Sequence, residues 1–537
     1  MASLRPAARL LALAAVLCAV PLARGRARAD AQATDPAAAL FGPAAPVPVL
    51  DLLLEPAERA RLREDPRTYV PARLVEQGGA TLERVGLRLK GAAGSFQGVD
   101  ERPSFTLDTD RFVKGQRWHG LERVHLNSSV QDESLLCEAL ATDLFHAAGL
   151  LAPRVGHARV RLDGRELGVM VVKEGVDRYF LERTLGSADG NLYDGGFCED
   201  LDGELEKDAG RGPEDRRDLQ ALVAAARTPD LTLREAALAP LLDLERFLAF
   251  VALERMLGHW DGYAGNRNNY RVAMRPGDGR ALFLPHGMDQ LFGDAGASVL
   301  DEPVGLLAEG ALAVPALRVR YRLALLRLLP LLDPATSLLP RLEARLARLA
   351  AAVATLGPEA AAAHAAQVAA LRERLVARGA FLATHVREPD PPPPEVTAAG
   401  LPLAEGWRAQ VDSGEPALEE VEHAGRRALA LACTPGEEPC TASWRRRLTL
   451  PRGRYALVGA LATSGVRVPA DEEGGGALAR LSGRPRQGGR GGTRGWAPLR
   501  VEFEVAEALA RVELVLELRA TAGTAWFARD ALRLERR

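Results

Sequence analysis

The sequence is poor in cysteine and in aromatic residues: five of its 537 residues are Cys, and Phe, Trp and Tyr together make up 5%. No Cys/His cluster has the spacing of a zinc site. An excess of either charge is also lacking, because 69 Lys and Arg residues stand against 71 Asp and Glu residues. This balance gives no global attraction to nucleic acid or to anionic membranes. We therefore expect no nucleic-acid partner.

Long apolar runs are scarce as well. Beyond the N-terminus, no segment reaches the roughly eighteen uninterrupted apolar residues of a membrane-spanning helix. The N-terminus itself has Arg5 and Arg9, then an apolar stretch at 10–20, then a small-x-small site at residues 27–29. This order predicts a cleaved signal peptide over residues 1–29. We expect an exported protein (periplasmic, cell-surface or extracellular) without a transmembrane segment after cleavage.

Four cysteines follow the predicted cleavage site. In an oxidising compartment, Cys433 and Cys440 are predicted to close a small loop as a disulfide. Cys137 lies in a helix-like run, and we expect it to be a buried thiol.

An acid–amide–acid pattern lies between residues 258 and 293. Asp261 is followed five residues later by Asn266, and Asp289 comes after a predicted β-hairpin at 270–284. Phosphoryl transfer uses such a set, in which one carboxylate orients the attacking hydroxyl while an Asn and an Asp hold Mg²⁺ on the phosphates. Protein kinases have the same D-x-x-x-x-N spacing. We interpret Asp261 as the catalytic acid, and Asn266 and Asp289 as metal ligands.

Two other interpretations of this stretch remain open. Asp, Asn and Gly are ordinary turn residues, so the pattern is also typical of a plain loop. His259 and His286 flank the two acids, and His with Asp is a common ligand set of metal-dependent hydrolases. Neither histidine belongs to an H-x-H or H-E-x-x-H pair, which favours packing or hydrogen bonding for both.

The patterns on either side predict the arrangement of the chain, whose length favours two or three domains. Residues 47–174 read as short strands with one helix inserted at 133–149. Residues 304–386 read as helices with apolar stripes. The Pro-rich segment 389–398 is predicted to be an extended linker. Beyond it, over 399–537, the apolar period changes to two, which predicts an antiparallel sandwich.

The sandwich is predicted from short strands separated by glycine-rich loops. The strands are expected at 427–432, 443–450, 455–462, 499–505, 512–518 and 525–534. Trp496 and Trp526 are candidates for stacking on sugar rings, and burial inside the sandwich is the alternative for each. A carbohydrate or another envelope component is the ligand that we expect for this region.

Several short segments match one family in order. They are 85–91, 102–105, 126–132, 152–154, 164–168, 173–177, 190–193 and 260–293. Together they resemble the spore-coat-protein-H (CotH) kinase family of secreted atypical protein kinases, from about residue 47 to 385. The resemblance implies an α+β fold with a divergent protein-kinase-like, CotH-type domain over 30–388, helical in its C-terminal part and followed by the all-β sandwich. It also implies ATP and Mg²⁺ as cofactors, with Ser or Thr of a surface or coat protein as the phosphate acceptor.

The resemblance implies roles for four further residues. Lys90 or Arg102 would steady the ATP phosphates, and Glu138 on the inserted helix would pair with whichever cation is used. A solvated charge near a helix N-terminus is the alternative for Glu138. Glu174 would flank the adenine site, or would simply end a hairpin. The small residues of the loop at 90–95 would cradle phosphate with their amides, or form a plain turn.

Two departures from the family pattern matter. Many members have Asp-x-Asp at the second acid, and this chain has Gly287 before Asp289. Many also have a Lys where this chain has Arg102, and the planar guanidinium does not reproduce a compact ammonium. These departures favour the alternative of a catalytically degenerate kinase-fold protein that acts in binding or assembly at the cell surface or envelope.

Overall fold

The computed structural model describes residues 35–42, 45–92, 94–390, 395–436, 438–468 and 474–537. The predicted signal peptide, residues 1–29, lies outside the described residues, as does the run of prolines in the predicted linker, residues 391–394. The chain forms two compact units, each made of separate segments. Unit 1 comprises Met1–Ala139, Pro153–Phe180 and Leu342–Val368, and unit 2 comprises Leu140–Ala152, Leu181–Arg341 and Ala369–Arg537. The predicted domain boundaries at residues 388 and 399 stay a prediction.

The β-strands of unit 1 form a closed barrel in the order β1-β2-β3-β4-β5-β7-β6. The strands are β1 Val49–Leu53, β2 Val70–Glu76, β3 Thr81–Lys90, β4 Ser104–Asp108, β5 Arg123–Asn127, β6 Val155–Leu162 and β7 Arg165–Glu174. Neighbouring strands are antiparallel except β1 and β6, which pair in parallel with Leu50 opposite Val160. That parallel pair closes the barrel. The strands predicted over 47–174 are thereby confirmed.

Apolar side chains fill the barrel because alternate residues of its strands point inwards. Leu52, Leu74, Val85 and Leu126 are among the fully buried residues of this core. Short helices precede and interrupt the strands at Ala38–Phe41 and Pro56–Glu64. The helix predicted at 133–149 is confirmed as Cys137–Ala147.

Unit 2 begins with helices around a small sheet ordered β11-β10-β8-β9. Its strands are β8 Leu192–Asp194, β9 Lys207–Ala209, β10 Tyr270–Met274 and β11 Ala281–Pro285, and the last two form the predicted hairpin. The helix Leu244–Met256 is apolar on most of its surface and is almost wholly buried, as a central helix must be.

The predicted helical character of 304–386 is confirmed. The other helices after Ala147 are Arg178–Leu185, Arg217–Ala226, Leu231–Leu238, Tyr263–Asn266, Leu306–Leu312, Pro315–Leu328, Leu339–Ala354 and Pro358–His385, with a 3-10 turn at Leu329–Leu332 and a π turn at Pro334–Leu338. In the described part of the chain, no single helix is long and apolar enough to cross a bilayer. The consecutive pair Pro315–Leu332 and Pro334–Ala354 meets that test only jointly and is bent by 56°.

The C-terminal strands hydrogen-bond into one sheet. They are β12 Leu401–Pro402, β13 Arg408–Ser413, β14 Ala417–His423, β15 Arg426–Cys433, β16 Cys440–Arg467, β17 Gly476–Leu481, β18 Gly492–Ala520, β19 Ala522–Ala528 and β20 Arg533–Arg536. Cys433 and Cys440 form the predicted disulfide, and Cys137 is a buried free thiol as expected.

The prediction of short strands in this region was partly wrong. The strands expected at 443–450 and 455–462 are one long strand, β16, and those expected at 499–505 and 512–518 are one long strand, β18. The pairing register of β16 and β18 shifts between Pro451 and Gly453. A bulge of this kind lets a strand bend without ending, so residues 451–453 mark a bend and not the end of a strand.

Candidate active site

The segment that carries Asp261 leaves a buried helix through a tight turn. The helix Leu244–Met256 is followed by Gly258, whose φ of +68° is the left-handed conformation that glycine adopts readily. The amide of His259 donates to the carbonyl of Glu254 at 2.9 Å and holds the turn against the helix. Asp261 follows two residues later and is partly exposed.

Three side-chain amides hold the carboxylate of Asp261. Its Oδ1 accepts a hydrogen bond from Asn266 Nδ2 at 2.7 Å. Its Oδ2 accepts from Asn268 Nδ2 at 3.0 Å and from Asn269 Nδ2 at 2.7 Å. Arg267 and Asn269 have positive φ values of 56° and 48°, so the chain coils tightly enough for neighbouring amides to converge. The structure thus brings Asp261 and Asn266 together, as the spacing predicts.

A buried acid that sequence reasoning missed supports this loop. Glu254 is fully buried, and its carboxyl oxygens accept from the amides of Tyr263 at 3.2 Å and Ala264 at 3.0 Å. Burial raises the pKa of Glu254 to about 8. A Cβ on Gly262 would lie 2.6 Å from Glu254 Oε1, so only glycine fits there. An isolated acid inside an apolar helix was the available signal.

The loop that carries Asp289 is joined to the Asp261 loop by main-chain groups. The amide of His286 donates to the carbonyl of Asn269 at 2.8 Å, and the amide of Phe292 donates to that of Leu257 at 2.9 Å. His259 Nε2 donates to the carbonyl of His286 at 3.0 Å, which is the hydrogen-bonding role that its isolated position suggested. The two loops are therefore adjacent at both ends of 286–292. The ligand role of Asp289 itself stays a prediction.

Gly287 has a local explanation. Its φ is +52°, and a Cβ at this position would fall inside the contact distance of the Asn269 side chain. Asn269 is one of the amides that hold Asp261. An Asp at 287 would therefore displace that amide.

The short helix Tyr263–Asn266 is fixed from its other side. The hydroxyl of Tyr263 donates to Asp200 Oδ1 at 3.2 Å and accepts from the amide of Leu307 at 2.9 Å. Asp200 Oδ2 accepts from the amide of Leu306 at 2.7 Å, and burial raises the pKa of Asp200. Asn266 also donates to the thiol of Cys198 at 3.4 Å.

A magnesium site formed by the predicted residues would have limited protein ligation. Among the described residues, no group of three His, Cys, Asp or Glu side chains is placed to hold a metal ion. Mg²⁺ usually takes only one or two protein carboxylates and completes its shell with water and substrate phosphates. Asn266 uses its amide nitrogen on Asp261, so its oxygen is the atom suited to a metal. Asp289 would supply the carboxylate.

Unit 1 contains a buried salt bridge that was predicted with a different cation. Lys173 Nζ lies 2.7 Å from Glu138 Oε1, and both side chains are 2% exposed. Glu138 lies on the helix Cys137–Ala147, and Lys173 lies near the end of β7. We expected Lys90 or Arg102 opposite Glu138, and the cation that the structure places there is Lys173. The sequence feature that could have identified Lys173 was a lysine at the end of an apolar strand.

Arg102 and the loop at 90–95 are arranged differently from expectation. Arg102 is largely buried, its pKa is lowered by that burial, and its Nη2 donates to the carbonyl of Val169 at 3.2 Å. The amides of Ser95 and Phe96 both donate to the carbonyl of Ala92 at 3.0 Å. The loop at 90–95 therefore uses these amides within a turn, while Ala93 lies outside the described residues. Lys90 ends β3 and is partly buried.

Glu174 forms a salt bridge with Arg154. Arg154 Nη2 lies 2.8 Å from Glu174 Oε1, and Arg154 Nε lies 3.0 Å from Glu174 Oε2. The backbone amide of Arg154 also donates to Oε2 at 3.1 Å. Asp35 binds the same guanidinium. This bidentate pair favours the interpretation that Glu174 ends the hairpin rather than contacting a nucleotide base.

Solved structures with some likeness to this chain cover about a quarter of it. The carbohydrate-binding module TmCBM61, solved in complex with β-1,4-galactotriose, is 15% identical and covers 24% of this chain and 88% of its own, with a TM-score of 0.18. The enzymatically active domain of tailspike protein 4 of bacteriophage CBA120 is 9% identical and covers 25% and 20%, with a TM-score of 0.20. A CBM4 structure is 12% identical and covers 24% and 78%, with a TM-score of 0.16.

Sequence comparisons match the region that carries the acid–amide–acid pattern. A family model described as CotH kinase protein matches residues 87–311, which include Glu138, Lys173 and the Asp261 loop. Inner spore coat protein H of Bacillus subtilis (strain 168) is 28% identical over 176 residues. The match covers 30% of this chain and about half, 48%, of that relative. Residues 87–311 of this chain are therefore similar to the CotH family.

Proposed function

We propose that the protein is an ATP-dependent phosphotransferase that transfers the γ-phosphoryl group to Ser or Thr of a surface or coat protein. The observation that carries the proposal is the Asp261 carboxylate, which neutral amides hold at both oxygens within a D-x-x-x-x-N loop. Hydrogen bonds at both oxygens orient this carboxylate for the role of a general base. The name of the family model and that of the coat-protein relative support the same activity and setting.

In the proposed reaction, Asp261 acts on the acceptor hydroxyl. The hydroxyl oxygen attacks the γ-phosphorus, the bond to the bridging oxygen breaks, and ADP leaves with that oxygen. The hydroxyl proton passes to the Asp261 carboxylate. Asn268 and Asn269 keep the carboxylate aimed during this transfer, and Glu254 keeps the loop in shape. Mg²⁺ held by Asn266 and Asp289 would neutralise charge on the phosphates.

The salt bridge in unit 1 is proposed to serve the nucleotide. Protein kinases hold ATP phosphates with a Lys that is itself oriented by a helix Glu. Lys173 and Glu138 have that chemistry, since the helix carboxylate fixes the ammonium group. Lys90 remains a second proposed phosphate contact. Arg102, which is drawn onto a β7 carbonyl, is less suited to that role.

The proposal is tested by incubating purified protein with Mg-ATP and following phosphate on the protein itself and on casein. We expect incorporation by the wild type and a loss of about 10²- to 10⁴-fold in Asp261→Ala, which is the usual range for removing a general base. Asp278→Ala is the matched control, because Asp278 lies on the exposed hairpin turn and pairs with Arg275. Equal incorporation by wild type and Asp261→Ala would contradict the proposal.

The fold and location follow as linked proposals. We propose a divergent kinase-like fold for residues 30–388 and a sandwich for 399–537. We also propose export to the cell surface or coat, because of the N-terminal pattern, the Cys433–Cys440 disulfide and the coat-protein relative. Export predicts that the secreted or surface fraction contains chain beginning near residue 30. N-terminal sequencing of that fraction measures this directly.

A catalytically degenerate kinase-fold protein that acts in binding or assembly at the cell surface or envelope is the alternative. The observation that favours it is Gly287, which removes one of the usual acids of the second motif. Mg-ATP binding and phosphate transfer together separate the two proposals. A thermal shift with Mg-ATP together with phosphate transfer supports the kinase, whereas a lack of transfer, with or without a thermal shift, supports the assembly protein.

The C-terminal sheet has an aromatic cluster that favours a carbohydrate or envelope ligand. Trp526 points to the face opposite the buried Ala525 and Phe527, and it is partly exposed. His423 stacks on it at 3.8 Å, and Trp496 meets His423 edge-on at 5.7 Å. Trp496 and Trp526 are therefore not inside the core, which was the alternative for each. Binding of wild type and Trp526→Ala to immobilised polysaccharides tests this proposal.

A further inference from the structure

Two arginines of the C-terminal sheet form salt bridges with two glutamates in the helical part of unit 2. Arg447 lies on β16 and Arg511 on the adjacent β18, where Thr449 faces Arg511. Arg447 Nη1 lies 3.1 Å from Glu309 Oε1 and 3.5 Å from Glu302 Oε2. Arg511 binds Glu302 directly, and its Nη1 lies 3.5 Å from Glu309 Oε1. Each arginine thus contacts both glutamates. We name these four residues the charge clamp.

The segment between the two glutamates contacts the candidate active-site loop. The amide of Val304 donates to the carbonyl of Ala264 at 2.8 Å. The amide of Leu307 donates to the hydroxyl of Tyr263 at 2.9 Å. A Cβ on Gly305 would lie 2.8 Å from the Tyr263 ring, so the approach is close. Ala264 and Tyr263 belong to the four-residue helix that ends at Asn266.

A second contact also joins the C-terminal sheet to the helical part of unit 2. Asp230 Oδ2 accepts from the amide of Ala508 in β18 at 2.9 Å. Asp230 Oδ1 accepts from the amide of Thr232 at 2.9 Å and caps the helix Leu231–Leu238. The C-terminal sheet is therefore bound to the helical part of unit 2 at two separate places.

We propose that Arg447 and Arg511 are positioning residues for the Asp261–Asn266 loop. By fixing Glu302 and Glu309, they hold the segment 302–309 in place. That segment in turn fixes Tyr263 and Ala264, and so the orientation of Asn266 towards Asp261. The C-terminal sheet is then part of the scaffold of the site and more than an appended binding module. The inference rests on the proposed function only in giving the loop a catalytic purpose.

The charges favour a coupling that responds to salt. Isolated exposed ion pairs contribute little, but a network with several partners per charge contributes more. Glu513 lies 2.8 Å from Arg447 Nε and fixes that side chain further. A polar cavity of about 480 Å³ beside the clamp is lined by Arg447 and Arg511, and also by Arg267 of the loop. Dissolved ions that enter it would screen the clamp, since the screening length is about 8 Å at physiological salt.

Hydrogen exchange of the full-length chain tests the proposal without any assumption about activity. In Arg511→Gln, we expect amides 263–267 and 304–307 to exchange about tenfold faster, because the local opening energy falls. Arg447→Gln should have a smaller effect, because Arg447 is 39% exposed and Arg511 only 15%. Arg511→Lys should be intermediate, because an ammonium cannot grip two carboxylates as a guanidinium does. Arg500→Gln, a loss of an arginine paired with Glu502 elsewhere on the sheet, is the control and should leave these amides unchanged.

A purely structural role predicts another pattern. If exchange rose uniformly over unit 2 in step with a lower Tm, or did not change at 263–267, the proposal would be overturned. The same protection should fall in wild type between about 0.05 and 0.5 M NaCl, and less so in Arg511→Gln. Phosphate transfer is measured on the same samples. Altered loop exchange in a chain whose wild type transfers no phosphate supports the clamp and counts against the proposed function alone.

Discussion

Unit 1 sets Lys173 against Glu138 in a buried salt bridge, whereas unit 2 surrounds the partly exposed Asp261 with three side-chain amides. A buried cation needs a charged partner, because removing either charge from water alone is very costly. A carboxylate that must accept a proton needs orientation without neutralisation, and amide donors supply it. The difference teaches that each group is held by the kind of partner that its proposed task requires.

The largest expected effect comes from breaking the buried pair. Glu138→Gln leaves the Lys173 ammonium buried without its counter-charge, and we expect a loss of about 3–5 kcal/mol in the free energy of unfolding. Urea unfolding measures it. The double variant Lys173→Met/Glu138→Leu should recover most of the loss, since well-packed apolar residues often replace such pairs at little cost. Lys114→Gln, which removes an exposed lysine, is the control. A double variant as unstable as the single one would contradict the comparison.

The next effect is a pH dependence from Glu254. Its pKa is raised from 4.5 to about 8 in the folded protein, so the folded state binds more protons than the unfolded state in this range. The contribution of Glu254 to the free energy of unfolding is therefore fully present below pH 4.5. It is lost as the pH rises towards 8, by at most about 1.4 kcal/mol per pH unit. In Glu254→Gln that contribution disappears. Thermal unfolding of both proteins from pH 5 to 8 should show a steeper decline of Tm with pH in the wild type. Parallel curves of Tm against pH would contradict the raised pKa of Glu254.

Restoring the missing acid should destabilise the site. Gly287→Asp forces a side chain towards Asn269 at a left-handed position, and we expect a cost of about 2 kcal/mol. In the background of Asn269→Ala, the same substitution should cost less, because the clashing amide is gone. Chemical unfolding of the four proteins in the cycle measures the coupling. Additive costs would show that Asn269 is not the obstacle.

The smallest expected effect concerns one of the amides. Asn269→Ala removes a hydrogen bond to Asp261 Oδ2, which Asn268 also serves, so we expect a loss of about 1 kcal/mol. The rate of phosphate transfer should fall by more than the roughly fivefold that 1 kcal/mol corresponds to, because the carboxylate loses orientation. Gln410→Ala, which removes an exposed amide bound to Asp412, is the matched control. Equal losses of stability and transfer would argue against an orienting role.

Much of the fold was predictable because its signals are local. The strands of unit 1 and the hairpin before Asp289 follow from apolar alternation and turn residues, and Asp261 with Asn266 follows from spacing within one loop. The pairing of Lys173 with Glu138 was not predictable, because it joins residues 35 positions apart through the folding of the barrel. The long strands β16 and β18 were missed because a bulge at Pro451 looks like a loop in sequence.

The parallel pairing of β1 with β6 has a consequence for biosynthesis. Strand β2 can cover one edge of β1 early, but because Val49 pairs with Arg159, the other edge has no partner until more than a hundred further residues have been made. During translation its free edge needs protection from other chains, since an unpaired strand edge invites aggregation. Contacts this distant in sequence also slow folding. A nascent chain arrested before residue 155 should therefore be sensitive to protease, and one arrested well beyond residue 368 should resist it.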